Sequence, residues 1–126
     1  RPGAGFAFNQ QYFHKAVVLI TSHGRDRDIG FILNRPTTIL TTQLGIEGPP
    51  WQILFGGDVE GLSTFGAFGD ASFQCLHTLP RAAEASRQVV PGIYLMDFEK
   101  ARDLVLRGGA QTTDFLLLAG YCGWGP

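Results

Sequence analysis

The run Gly56-Gly57-Asp58-Val59-Glu60-Gly61-Leu62-Ser63 has the glycines and serine of a loop that wraps phosphate oxygens in backbone N–H groups. Such a loop needs a lysine just before its final hydroxyl to meet phosphate charge. Leu62 stands there instead, and Asp58 and Glu60 would repel an anion, so a tight turn after a strand is the better reading. Ser22-His23 sets a hydroxyl beside an imidazole, but adjacent residues do not by themselves make a nucleophile and its base, and no Gly-x-Ser-x-Gly elbow occurs. His14, His23 and His77 are scattered, with neither a His-x3-His pair nor a Cys-His cluster at ligand spacing. No metal and no cofactor is expected. Cys75 and Cys122 lack CxxC spacing and read as two free thiols. Cys122, between Tyr121 and Trp124, is either a redox-active thiol or a small residue packed under the indole, which is expected to be buried. Asp97 and Glu99 open a helix, where acids complement the macrodipole, and are given no catalytic role.

The most informative polar group is Asn34-Arg35-Pro36-Thr37. An arginine at a strand end can fork onto Asp58, onto carbonyls near Trp124, or onto the carboxylate of a small molecule or peptide. The candidate corner for a ligand or partner is therefore His23, Asn34, Arg35, Gly56, Gly57, Asp58, Tyr121, Cys122 and Trp124. It contains no coherent set of nucleophile, base and acid, so the chain is expected not to be an enzyme.

The elements that must hold this corner are mostly strands. Residues 115–119 are five apolar residues punctuated by Gly120, too short for an ordinary helix and suited to a strand covered on both faces. Gly120 to Pro126 then reads as a structured loop. Residues 16–21, 30–34 and 51–55 are further apolar, β-branched runs, and all four strands are expected in one central sheet. The polar stretch after Thr21 makes the first two an antiparallel hairpin, and Pro36 is expected to end the second strand's ladder. Residues 37–48 fit a short helix or an irregular crossing equally well. Residues 73–77 alternate like an edge or half-buried strand, residues 81–86 give a turn or two of helix, and residues 89–95 form one strand with Pro91 at a bulge or edge. A helix follows from Phe98, capped by Asp97 and ended by Gly108-Gly109, with Phe98, Ala101, Leu104 and Val105 on one face. The whole is expected to be one α+β domain.

Composition narrows the partners. Charged residues are 17%, below the usual share of roughly 25%, against ten Phe and seventeen Gly, so part of the surface is expected to face protein rather than water. A net charge of −1 lacks the footprint of a nucleic-acid binder, and no apolar run is long enough to span a membrane, although association with a membrane complex is compatible with both facts. Residues 1–13 and 65–73 together hold six Phe and one acid, and Phe6, Phe8, Phe65 and Phe68 are the candidate interface anchors. The competing reading folds these rings back over the domain's own core.

Phe13-x-x-Ala16-Val17-Val18, His23, the run Gly30 to Thr37, Gly56-Gly57-Asp58-Val59, Leu76-His77 and Gly120-Tyr121-Cys122-Gly123-Trp124-Gly125-Pro126 together resemble the AlgH-like family. The resemblance runs in order from Phe13 to Pro126. It implies an α+β fold in which a bifurcated, mostly antiparallel sheet closes into a pseudo-barrel with helices outside, and it implies no reaction. Asp58 stands where the family usually has Pro, and Cys122 where it has Ala. The chain is expected to be a single domain cut short at both ends. Together these readings lead to a non-catalytic interaction module, an accessory subunit of a larger assembly; the alternative is a regulator sensing a small ligand or an oxidant. The expected compartment is the cytoplasm of a bacterium or the plastid stroma of an alga or plant, where the assembly could be a photosynthetic one.

Overall fold

A computed structural model of the protein describes residues 16–23, 28–59 and 72–124. Its strands form two sheets. β1 (Val18–His23), β2 (Asp28–Ile32) and β9 (Cys122–Trp124) make a three-stranded antiparallel sheet in the order β1-β2-β9. The larger sheet contains β3 (Pro36–Leu40), β4 (Gln52–Phe55), β5 (Phe73–His77), β6 (Arg87–Val90), β7 (Ile93–Asp97) and β8 (Leu116–Ala119), in the order β3-β4-β8-β5-β7-β6. Only β4 and β8 run parallel among the described pairs. The architecture is α+β and mostly antiparallel, and no closed barrel forms among the described residues.

β8 sits inside the larger sheet for a reason visible in its side chains. Leu117 and Ala119 point into a core with Trp51, Ile53, Met96 and Phe98, while Leu118 points to the other face against Phe31 and Leu76. A strand buried on both faces has no use for alternating polar residues. The first face is covered by α1 (Phe98–Leu106), which buries Phe98 and Ala101 and packs Leu104 and Val105 against the same core. The second is covered by the small sheet through Phe31, Leu19 and Leu33. Three layers result: helix, large sheet, small sheet.

The expectation of one central sheet needs correction. Residues 18–23 and 28–32 lie in the small sheet, whereas residues 52–55 and 116–119 lie in the large one. The division occurs at Gly56, whose N–H donates to the Ala119 carbonyl (2.9 Å) and whose carbonyl accepts from the Ile32 N–H (2.9 Å). One peptide group on each side of a single residue thus ties the two sheets.

Other corrections are local. The segment expected as one strand over residues 89–95 is a hairpin, because Pro91-Gly92 turns the chain: proline presets its own φ, and Gly92 takes the left-handed value of 82° that the second turn position requires. Pro36 does not end a ladder but opens β3, an edge strand of the large sheet, where a missing N–H costs little. Residues 37–48 resolve into the rest of β3 and a 3-10 turn, Thr41–Leu44, closed by Gly45 at φ 77°. The expected loop after Ala119 becomes β9. Asp97 holds the N-cap position of α1, but its carboxylate makes no cap hydrogen bond and instead lies 3.4 Å from Gln74 Nε2. The helix ends through Gly108 and Gly109, whose N–H groups donate to the Val105 and Leu104 carbonyls.

Candidate functional site

The motifs singled out in the sequence converge on the seam between the sheets. Val59 and Tyr121 exchange two backbone hydrogen bonds of 3.0 Å, and Gly120 donates to the Ser72 carbonyl at 2.8 Å. These bonds bring the Gly56-Gly57-Asp58-Val59 run against Gly120-Tyr121-Cys122. Only glycine allows so close an approach. A Cβ on Gly56 would strike the Gly120 carbonyl oxygen, and one on Gly57 would strike the carbonyl group of Tyr121. The glycines therefore serve chain crossing rather than phosphate binding.

Cys122 lies under this crossing, 3% exposed, with its thiol donating to the Gly56 carbonyl at 3.6 Å. Burial raises its pKa, and the negative charge of Asp58 raises it further. Cys75 is buried in the main core, and burial raises its pKa as well. Both thiols are free, and in each the shift runs away from the thiolate that nucleophilic or oxidant chemistry uses.

The remaining corner residues separate. His23 and Asp28 are partners at the loop end of the β1–β2 hairpin, with Nδ1 and Oδ1 3.2 Å apart and the imidazole largely exposed. Asn34 and Arg35 sit where the chain passes from β2 to β3. The Asn34 side chain accepts from the Val17 N–H (2.8 Å), Arg35 Nη1 donates to the Asn34 carbonyl (3.1 Å), and the Arg35 carbonyl accepts from the Phe55 N–H (2.7 Å). Trp124 is half-buried rather than buried, its ring packed where Gly30 leaves room: a Cβ there would stand 3.1 Å from the indole. Phe6, Phe8, Phe65 and Phe68 lie outside the described residues. Phe73, counted with them in the sequence, belongs to β5 and packs on Phe98 with ring centroids 6.0 Å apart. Among the described residues no group of three or more His, Cys, Asp or Glu could hold a metal ion.

Sequence reasoning missed one juxtaposition with the look of chemistry. His77 Nε2 lies 2.7 Å from Ser86 Oγ, joining β5 to the turn before β6. The hydrogen bonds fix which atom carries the proton. Nδ1 accepts from the Leu79 N–H (3.0 Å), and the Ser86 hydroxyl spends its single hydrogen on the Ala82 carbonyl (2.8 Å), so Nε2–H must donate to Ser86. An imidazole that donates to the hydroxyl cannot take a proton from it, and this pair is not a nucleophile and its base. His77 is 3% exposed and lies between Tyr94 and Phe115, each ring centroid 5.4 Å away. Burial lowers its pKa below the ordinary value. The unfolded chain therefore binds a proton first as pH falls. Stability should be level above about pH 6.5, decline as pH drops below that value, and level off again once pH passes the folded pKa. Urea midpoints between pH 8 and 5 check this, with His77→Gln expected to remove the histidine's part of the slope.

Among the described residues, two concave regions open between the two sheets. One is a hollow of about 240 Å³ whose apolar wall includes Leu19, Leu33, Leu76, Ile93, Phe115 and Leu116, with Thr78, Thr113 and Asp114 among its polar residues. The other is a cleft of about 600 Å³ between the small sheet and the β5–β7–β6 part of the large one. No single sequence segment announces either, since each is assembled from at least three elements.

A family model described as AlgH-like matches residues 4–126. The chain is 34% identical over 122 residues to a UPF0301 protein of Streptomyces coelicolor, and 31% identical over 119 residues to one of Streptomyces avermitilis. Each match takes in 90% of this chain and 58% of the relative. The solution structure of the AlgH protein from Pseudomonas aeruginosa superimposes with a TM-score of 0.63 at 18% identity, covering 92% of this chain and 61% of that one. The chain thus spans less than two thirds of the length of each of these proteins.

Proposed function

The chain belongs to the AlgH-like family, and from that premise, which carries a fold and no reaction, we propose that it is a non-catalytic interaction module, an accessory subunit of a larger protein assembly. The observation that carries this reading is the apolar hollow. Six aliphatic and aromatic side chains face it, and Leu116 is still 39% exposed in a strand whose next three residues are fully buried. Val17, whose carbonyl accepts from the Leu33 N–H, is 54% exposed. An apolar depression with a polar rim is the form of a pocket that receives an anchor side chain from a partner. Asp114 is the acid at this rim, so the fitting partner segment offers a leucine or phenylalanine next to a lysine or arginine. The alternative of oxidant sensing finds no support in the buried thiols, whose pKa values are both raised by burial.

The tagged protein, captured from its native source, tests the proposal. Leu116→Asp should weaken retention of a defined partner about tenfold or more, as expected when a buried leucine's ~1.5–3 kcal/mol is lost. Leu106→Asp, on α1 at 63% exposure, is the control and should retain the partner. A photo-crosslinking residue at position 116 should join to a partner peptide of the stated composition. Equal retention by both variants would overturn the reading.

A further inference from the structure

The cleft between the two sheets has a device that the interaction reading does not use. The β1–β2 ladder slips register between Ile20 and Ser22, and such a bulge frees the intervening residue from regular pairing. That residue is Thr21. Its carbonyl accepts Arg87 Nη1 at 2.9 Å, across 66 positions of sequence and from the opposite sheet. Among the described residues the guanidinium has no other hydrogen-bond or ion-pair partner. Arg87 is thus a strut that fixes the separation of the sheets while most of its fork of donors stays available.

The rest of the lining sets what those donors would meet. Among the described residues, Arg87 is the one charged side chain lining the cleft, Ser22 and Gln74 add neutral polar groups, and Ile29, Phe31 and Leu95 supply an apolar wall. A volume of about 600 Å³ lies within the ~300–1,000 Å³ typical of small-molecule sites. The strut spans the gap, which suits a compact molecule better than an extended chain. A single guanidinium balances a single negative charge. The adjoining depression adds two acids, Glu84 and Asp97, and only Lys100 as a further cation, so it offers no excess positive charge for a dianion.

We propose that this cleft binds a small organic monocarboxylate with a flat apolar body, the carboxylate on the free edge of Arg87 and the body against Phe31, Ile29 and Leu95. The site is separate from the apolar hollow, so either proposal can fail alone. Benzoate serves as the probe, with benzamide as its uncharged isostere and phenyl phosphate as the dianionic comparison, in a nitrogen-15 NMR titration of the full chain. Benzoate should bind with a Kd of about 1 mM or tighter, shifting the amides of Thr21, Ile29, Phe31 and Leu95. Arg87→Gln should weaken it about tenfold, the loss expected for a charge-assisted hydrogen bond. Because Arg87→Gln also removes the strut, Ser22→Trp is the second variant: it fills the cleft from an exposed position and should abolish binding with the melting temperature retained. Failure of benzoate to shift these amides, benzamide or phenyl phosphate binding as well as benzoate, or indifference to both substitutions would each overturn the proposal.

Discussion

Replacing Gly57 with alanine is expected to destabilise the protein by about 3 kcal/mol or more, at or above the upper end of what overpacking usually costs. The added Cβ would overlap the carbonyl group of Tyr121 and stand 2.6 Å from the Cys122 backbone nitrogen. Atoms of the main chain cannot turn aside as a side chain would. The surrounding backbone is pinned by the paired Val59–Tyr121 bonds and by Gly56, which bonds to Ala119 on one side and Ile32 on the other. Relief therefore means opening the seam that joins the sheets. Gly45→Ala is the comparison, because nothing lies within 4 Å of a Cβ there and its φ of 77° leaves only the left-handed penalty of about 1 kcal/mol. Urea unfolding of both variants measures the difference. Equal losses would mean that the crossing yields easily and is not what fixes the two sheets.

The second large effect separates neighbours of identical type. Leu117→Ala should cost about 3 kcal/mol, within the 2–5 found for leucines removed from cores, while Leu116→Ala should stay within about 1 kcal/mol. Leu117 is 0% exposed among Ile53, Met96 and Phe98, whereas Leu116 is 39% exposed at the mouth of the hollow. Similar midpoints for the two variants would contradict the facing of β8. The contrast also matters for function, because a residue at position 116 that can be changed without unfolding the domain makes loss of a partner interpretable.

Much of this fold is legible in short stretches of sequence. The five apolar residues ending at Ala119 predict a doubly covered strand, and β8 is one, with Leu117 and Leu118 facing opposite cores. The helix is equally readable, since the spacing of Phe98, Ala101, Leu104 and Val105 and the paired glycines after it act within one or two turns, although the expected cap bond from Asp97 does not form. The run of motifs likewise pointed to the AlgH-like family, and the family model matches almost the whole chain. Local signals suffice for such features because capping, periodicity and turn chemistry depend on a few neighbouring residues.

Which sheet each strand joins was a different matter. Residues 18–23 and 116–119 look alike as apolar strands, yet one lies in the small sheet and the other inside the large sheet, and the difference rests on backbone bonds from Gly56 to residues far away in the chain. Pro91-Gly92 carried a turn signal, but whether it kinks one strand or divides two depends on the register Val90 and Ile93 adopt against each other. The His77–Ser86 pair, the Arg87–Thr21 strut and both cavities follow the same rule. Their members are separated by 9 to 66 positions in the two hydrogen bonds, and nothing in the residue types says that they will meet. Sequence by itself determined the elements and the family; only the tertiary structure decided the seam and the hollows beside it, because pairing between distant strands is chosen by the burial of whole faces and not by any residue's own preference.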